Sequence, residues 1–69
     1  MDDHVYKVIE IVGTSKDGIE PAIRNALTRA SASVKQMRWF EVAETRGDLR
    51  DGQVQYWQVR LKIGFTLNG

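Results

Sequence analysis

The chain has 69 residues, a formal net charge of +1, one histidine and no cysteine, which excludes disulfides and thiolate metal sites and argues against a nucleic-acid binder that gains affinity by neutralising phosphates. A chain this short makes one small domain, expected to span 1–69, and buries a modest share of its surface, so oligomerisation is the route left for adding buried area. No stretch reads as a signal peptide or a membrane span, and the expected setting is the cytoplasm.

The first predicted element is a strand over His4–Val12. Val5, Ile9 and Ile11 fall on one face and Tyr6, Val8 and Val12 on the other. A strand apolar on both faces is normally covered on both. One helix covers one face, so a neighbouring copy is expected over the other. Residues 13–18 (Gly-Thr-Ser-Lys-Asp-Gly) read as a loop with Ser15 or Asp17 as the helix N-cap, and Asp17 with Glu20 has capping-box spacing. Gly13-Thr14-Ser15 lacks the Gly-x-x-x-x-Gly-Lys pattern of a phosphate cradle, and helix capping is the better reading. Pro21 is acceptable only near a helix start, which places that start close to residue 17. Ile19, Ile23, Ala26, Leu27, Ala30 and Val34 form the inward stripe. Glu20, Arg24, Thr28, Arg29, Ser31 and Lys35 face out, and the helix is expected to end at Gln36-Met37 without a glycine cap.

The second strand is predicted over Arg38–Arg50 and the third over Val54–Leu67, joined at Asp51-Gly52. That dipeptide suits a type I′ turn, which needs positive φ at both central residues. On the third strand Trp57, Val59, Leu61, Ile63, Phe65 and Leu67 share one parity, which must be the core face. If Arg50 faces Gln53, then Phe40 lies opposite Ile63 and Val42 opposite Leu61, core with core. Trp39 then falls opposite Gly64, on the non-core face beside bare backbone. A large aromatic there usually has a partner other than its own core. In the same uninterrupted register Glu44 and Arg46 share parity with the core; a bulge near Gly47 would re-aim them, or the register differs there. The helix returns the chain so that strands one and two run parallel. Placing the third between them makes both pairings antiparallel. The fold class is therefore α+β: β-α-β-β, with a three-stranded antiparallel sheet in order 1-3-2 wrapped over one helix.

The segments Tyr6–Ser15, Trp39-Phe40-Glu41-Val42, Arg46-Gly47, Gln58-Val59 and Gly64-Phe65 together resemble the dodecins, in the right order and spacing over nearly the whole chain. The resemblance implies a dodecameric shell that stores or sequesters flavin (FMN or riboflavin) without catalysis, stacking flavins between tryptophans of two-fold-related subunits. It places that tryptophan at Trp39 and the flavin-contacting glutamine at Gln58. An arginine near the ribityl-phosphate end falls at Arg46, and ribityl contacts at Glu44 and Thr45. An indole is an electron-rich platform for a flat, electron-poor isoalloxazine, and a carboxamide offers both donor and acceptor to an imide-like edge. Each residue also has a plainer reading. Trp39 could fill an oligomer interface, Gln58 could be a solvated cross-strand residue, and Arg46 could pair with Glu44 or Asp48 of a neighbour. Several relatives carry a basic residue directly after the Gly-Phe of the last strand, where this chain has Thr66. That departure bears on phosphate contacts and on coenzyme A, a second ligand of some relatives, with Lys7 and Lys62 as other sources of charge.

Three function classes remain: a flavin-binding storage protein, an enzyme using flavin as redox cofactor, and an oligomeric shell without a small ligand. The chain offers no evident nucleophile–base pair, so a non-enzyme is expected, and no metal-ligating set is evident. A nucleic-acid module is a poor fit, because charges alternate in sign and only Trp39 and Tyr56 are candidate stacking aromatics.

Overall fold

The computed structural model describes residues 3–67. Strand β1 (Tyr6–Ser15) is followed by helix α1 (Ile19–Ser31), then β2 (Met37–Arg50) and β3 (Gln53–Thr66). The sheet has the order β1-β3-β2 with both pairings antiparallel. The expected α+β architecture is therefore the one observed. Among the described residues no helix is long and apolar enough to cross a membrane.

The helix lies over β1 and β3, and its buried residues are Ala22, Ala26 and Ala30. They recur every four residues, which puts them in one row. Their small size lets the helix settle onto β1 at Gly13, where an added Cβ would strike the Ala22 carbonyl and stand 2.7 Å from the Ala26 Cβ. Ile11, Ile23 and Leu27 close the rim around Val59 and Leu61. Ala22 is absent from the expected stripe. Large apolar residues mark a helix face in sequence, whereas the closest approach belongs to small ones.

The ends of α1 differ from expectation. Gly13–Ser15 are the last residues of β1 rather than loop, and Gly18, with φ 149°, is the N-cap and carries no side-chain cap bond. The Ser15 hydroxyl accepts the Asp17 amide at 2.9 Å instead, a local turn that competes with capping. The helix stops at Ser31, and the Val34 amide still reaches the Ala30 carbonyl at 2.8 Å. Gln36 then takes a positive φ of 62°, turning the chain into β2, and its carbonyl accepts the Thr66 amide. A glutamine in a position that favours glycine explains why no stop signal was legible. Asp51 and Gly52, at φ 54° and 78°, form the expected turn with Arg50 opposite Gln53.

Phe40 and Val42 pair with Ile63 and Leu61 as expected. They do not enter the protomer's core. Ile63 and Leu61 are fully buried, while Phe40 and Val42 stay 46% and 40% exposed because α1 does not extend over β2. The molecule measures 55 × 20 × 14 Å with a radius of gyration of 14.3 Å. A compact chain of this length has about 11 Å. The β2–β3 hairpin projects beyond the helix, with Leu49 and Val54 exposed near its tip.

Candidate functional site

The sheet face opposite α1 carries Trp39, Gln58, Arg46 and Glu44, four of the five residues singled out from sequence. Across its three strands Val8, Gly64 and Trp39 form one row, Glu10, Lys62 and Glu41 the next, then Val12, Arg60 and Glu44, then Thr14, Gln58 and Arg46. Tyr6, Val8, Val12 and Trp39 all remain exposed on this face.

Trp39 lies opposite Gly64, and its indole covers the space where a side chain at 64 would project. An added Cβ would overlap Cε2 and Cζ2 and stand 2.7 Å from Nε1. The Tyr6 ring meets it edge-on, with centroids 6.4 Å apart and planes at 63°. Such a T-shaped pair is a favourable aromatic arrangement. The indole thus has a floor and one wall, and it is still 41% exposed. The register shift between Met37 and Trp39 leaves Arg38 as the extra residue, so Met37 opposes Phe65 on the helix side while Trp39 turns to the open side.

Two further irregularities place the other end of the site. One lies between Val42 and Glu44, the other between Asp48 and Leu49. Ala43 is the extra residue on β2 and Gln55 the extra residue on β3, so the register moves by one and then returns. Between them Glu44 faces Arg60 and Arg46 faces Gln58. The uninterrupted register, with both on the core parity, is corrected accordingly. Thr45 pairs with Val59 and takes helix-side parity instead. Within one protomer, then, Glu44, Arg46 and Gln58 are gathered on the open face, and Thr45 is not.

Arg46 Nε donates to Gln58 Oε1 at 2.7 Å. Arg60 occupies Glu44 at 3.4 Å and Glu10 at 3.3 Å, bridging β1 and β2 across β3. The bond to Glu10 is the main cause, with Glu44 adding to it, of an Arg60 guanidinium held above its ordinary range. Glu44 thus pairs with Arg60 within the protomer, and its neighbour Arg46 turns to the glutamine. Val12, Glu44, Arg46, Gln58, Val59 and Arg60 line a depression of about 100 Å³. Ordinary ligand pockets hold roughly 300–1,000 Å³, so this one does not enclose a drug-sized molecule alone.

Trp39 and Gln58 share the face but not a locality. Six positions separate Gln58 from Gly64, about 20 Å along the strand at roughly 3.3 Å per residue. At the other end, Arg38 Nε donates to the Thr66 hydroxyl at 3.1 Å. A cation from β2 therefore stands beside Thr66. Tyr6 and Arg38 were not assigned roles from sequence. The β1–β3 register, which sets Tyr6 against Thr66, and the bulge at Arg38 are what bring them in.

The sequence model of the dodecin family matches residues 5–68. The chain is 48% identical over 63 residues to a dodecin of Thermus thermophilus, covering 91% of each. It is similar in structure to the dodecin of Streptomyces coelicolor, with a TM-score of 0.93, 54% identity and coverage of 100% of this chain and 99% of that one. It is also 33% identical over 63 residues to a calcium dodecin of Mycobacterium tuberculosis, covering 91% of this chain and 89% of the relative.

Proposed function

The chain belongs to the dodecin family, and from that premise we propose that it is a non-enzymatic flavin-binding protein that stores or sequesters FMN or riboflavin. The observation that carries the reading is the Trp39 indole, seated over Gly64 on the open sheet face and two-fifths exposed. An indole braced by bare backbone beneath and by Tyr6 at its edge is a prepared stacking surface. A stacked aromatic contact contributes roughly 0.5–1.5 kcal/mol beyond area burial.

The separation of Trp39 from Gln58 has a second consequence. One protomer does not bring both to one flavin, so the complete site draws on neighbouring copies. The unburied apolar side chains fit a closed assembly. Val8, Val12 and Trp39 on the open face, and Phe40 and Val42 on the other, are large apolar side chains left exposed, and grouped exposed apolar residues mark interaction surfaces. We assign the dodecameric shell of the family to this chain on that basis. Flavin held against indole supplies a fast route for losing excitation, which suits sequestration. Trp39 stacks, Gln58 offers hydrogen bonds to the polar ring edge with Arg46 beside it, and Glu44 and Thr45 stand for the ribityl end.

Coenzyme A is a second ligand to consider, because Arg38 beside Thr66 returns a cation to the place where this chain lacks one. Calcium enters through the mycobacterial relative; among the described residues of one protomer no three His, Asp or Glu side chains converge.

The test is a titration of FMN and of riboflavin with the purified protein. Flavin emission should fall steeply on binding, and Trp39→Ala should abolish the fall. Emission unchanged at saturating protein would remove the flavin reading. Mass in solution, measured alongside, checks the assembly.

A further inference from the structure

The two compensating bulges bring a guanidinium against a carboxamide, and the chemistry of that pair fixes which end of the amide is free. Arg46 has only N–H donors. The atom of Gln58 that faces it must be the acceptor, and Oε1 lies 2.7 Å from Arg46 Nε. The Nε2 amino group is thereby turned away from Arg46. A glutamine alone offers donor and acceptor interchangeably by rotating its terminal torsion, but one whose oxygen is held toward Arg46 turns its amino group to the other side.

Nothing else among the described residues competes for this arginine. Glu44, two residues before it, is engaged by Arg60, which also holds Glu10. Without the extra residues Ala43 and Gln55, Arg46 would stand opposite Trp57 on the helix side; with them, Gly47 takes that place.

We propose that Arg46 is a positioning residue for Gln58, locking its carboxamide so that the site presents the Nε2 amino group to a ligand edge that must supply a hydrogen-bond acceptor. This rests on the flavin reading above, and it changes the part played by Arg46. The residue acts on the ring-recognition end through Gln58, and the phosphate is not its target. The ligand class selected is a planar heteroaromatic with a carbonyl acceptor at its polar edge, phosphorylated or not.

The experiment measures affinities of riboflavin and FMN for the assembled wild-type protein, Arg46→Met, Arg46→Lys, Gln58→Leu and the Arg46→Met/Gln58→Leu double variant. Each is first checked for unchanged mass in solution. Arg46→Met should weaken both flavins by the same factor, about fivefold for one lost orienting hydrogen bond. In the Gln58→Leu background the same change should add no further loss. Arg46→Lys, which keeps the charge but not the planar N–H edge, should weaken both flavins alike. A loss confined to FMN, recovery of FMN affinity alone by lysine, or an undiminished penalty in the Gln58→Leu background would overturn the proposal while leaving flavin binding intact. Failure of the wild type to bind either flavin would overturn the flavin reading itself, and this inference with it.

Discussion

Replacing Gly64 by alanine separates the ligand site from the fold. A Cβ at 64 would overlap Cε2 and Cζ2 of Trp39. To restore ordinary contact of 3.4 Å or more, the indole must lift by more than an ångström. It has room to do so, being 41% exposed with Tyr6 along one edge only. Overpacking typically costs about 1–3 kcal/mol, and a ring free to lift stays near 1. Alanine recovers roughly 0.5–1 kcal/mol relative to glycine in a strand interior. The net change in stability should therefore be close to zero. Binding should suffer instead, because a lifted, re-angled indole no longer offers the same plane. Losing the stacking contribution of about 0.5–1.5 kcal/mol weakens flavin roughly two- to twelvefold. The control is Gly13→Ala, where the obstacles are the Ala22 carbonyl and the Ala26 Cβ, both fixed by the helix backbone. That variant should lose about 1–2 kcal/mol, or several degrees of melting temperature at roughly 4–8 °C per kcal/mol. It should still quench flavin while folded. The assay pairs thermal melting with flavin emission for both variants. A Gly64→Ala protein that melts as low as Gly13→Ala, or that quenches like wild type, would refute the argument.

Gly52→Ala tests conformation without contacts, since φ is +78° and an added Cβ meets nothing within 4 Å; thermal melting should show a loss of about 1 kcal/mol. Arg60→Met removes a bridge that is half exposed at both ends. Its small effect on melting should shrink further as salt approaches 1 M, where the Debye length is about 3 Å. Because the folded-state guanidinium is raised by Glu10 and Glu44, its contribution is complete below the ordinary arginine range. It fades only as pH rises through the raised value, so the wild-type advantage traceable to Arg60 should not change across neutral pH.

The hairpin was readable because its signals are local. Asp51-Gly52 fixes the turn, and the alternation from Trp57 to Ile63 fixes the faces, so the placement of Trp39 against Gly64 follows from the sequence. The bulges at Ala43 and Gln55 were not readable in detail, since neither residue carries a bulge signature such as glycine. Their effect was visible only as a misfit, with charged Glu44 and Arg46 assigned to an apolar face. The helix end at Ser31 was hidden for a similar reason, because Val34 continues the apolar spacing and the turning residue is Gln36. Exposure of Phe40 and Val42 could not be foreseen from parity. Parity names a face, and whether anything covers that face depends on the reach of α1.

The paired insertions on the two arms of the hairpin set residues 44–48 apart as a cassette with its own register. One insertion shifts the pairing by one residue, and the other restores it. Substitutions inside the cassette can therefore rewrite what is offered to a ligand while the strands on either side keep their alignment. Deleting Ala43 alone would set Val42 and Glu44 side by side opposite Leu61 and Arg60, so the bulge would be lost while the pairing on either side of it, and with it the open-face placement of Glu44 and Arg46, would be kept.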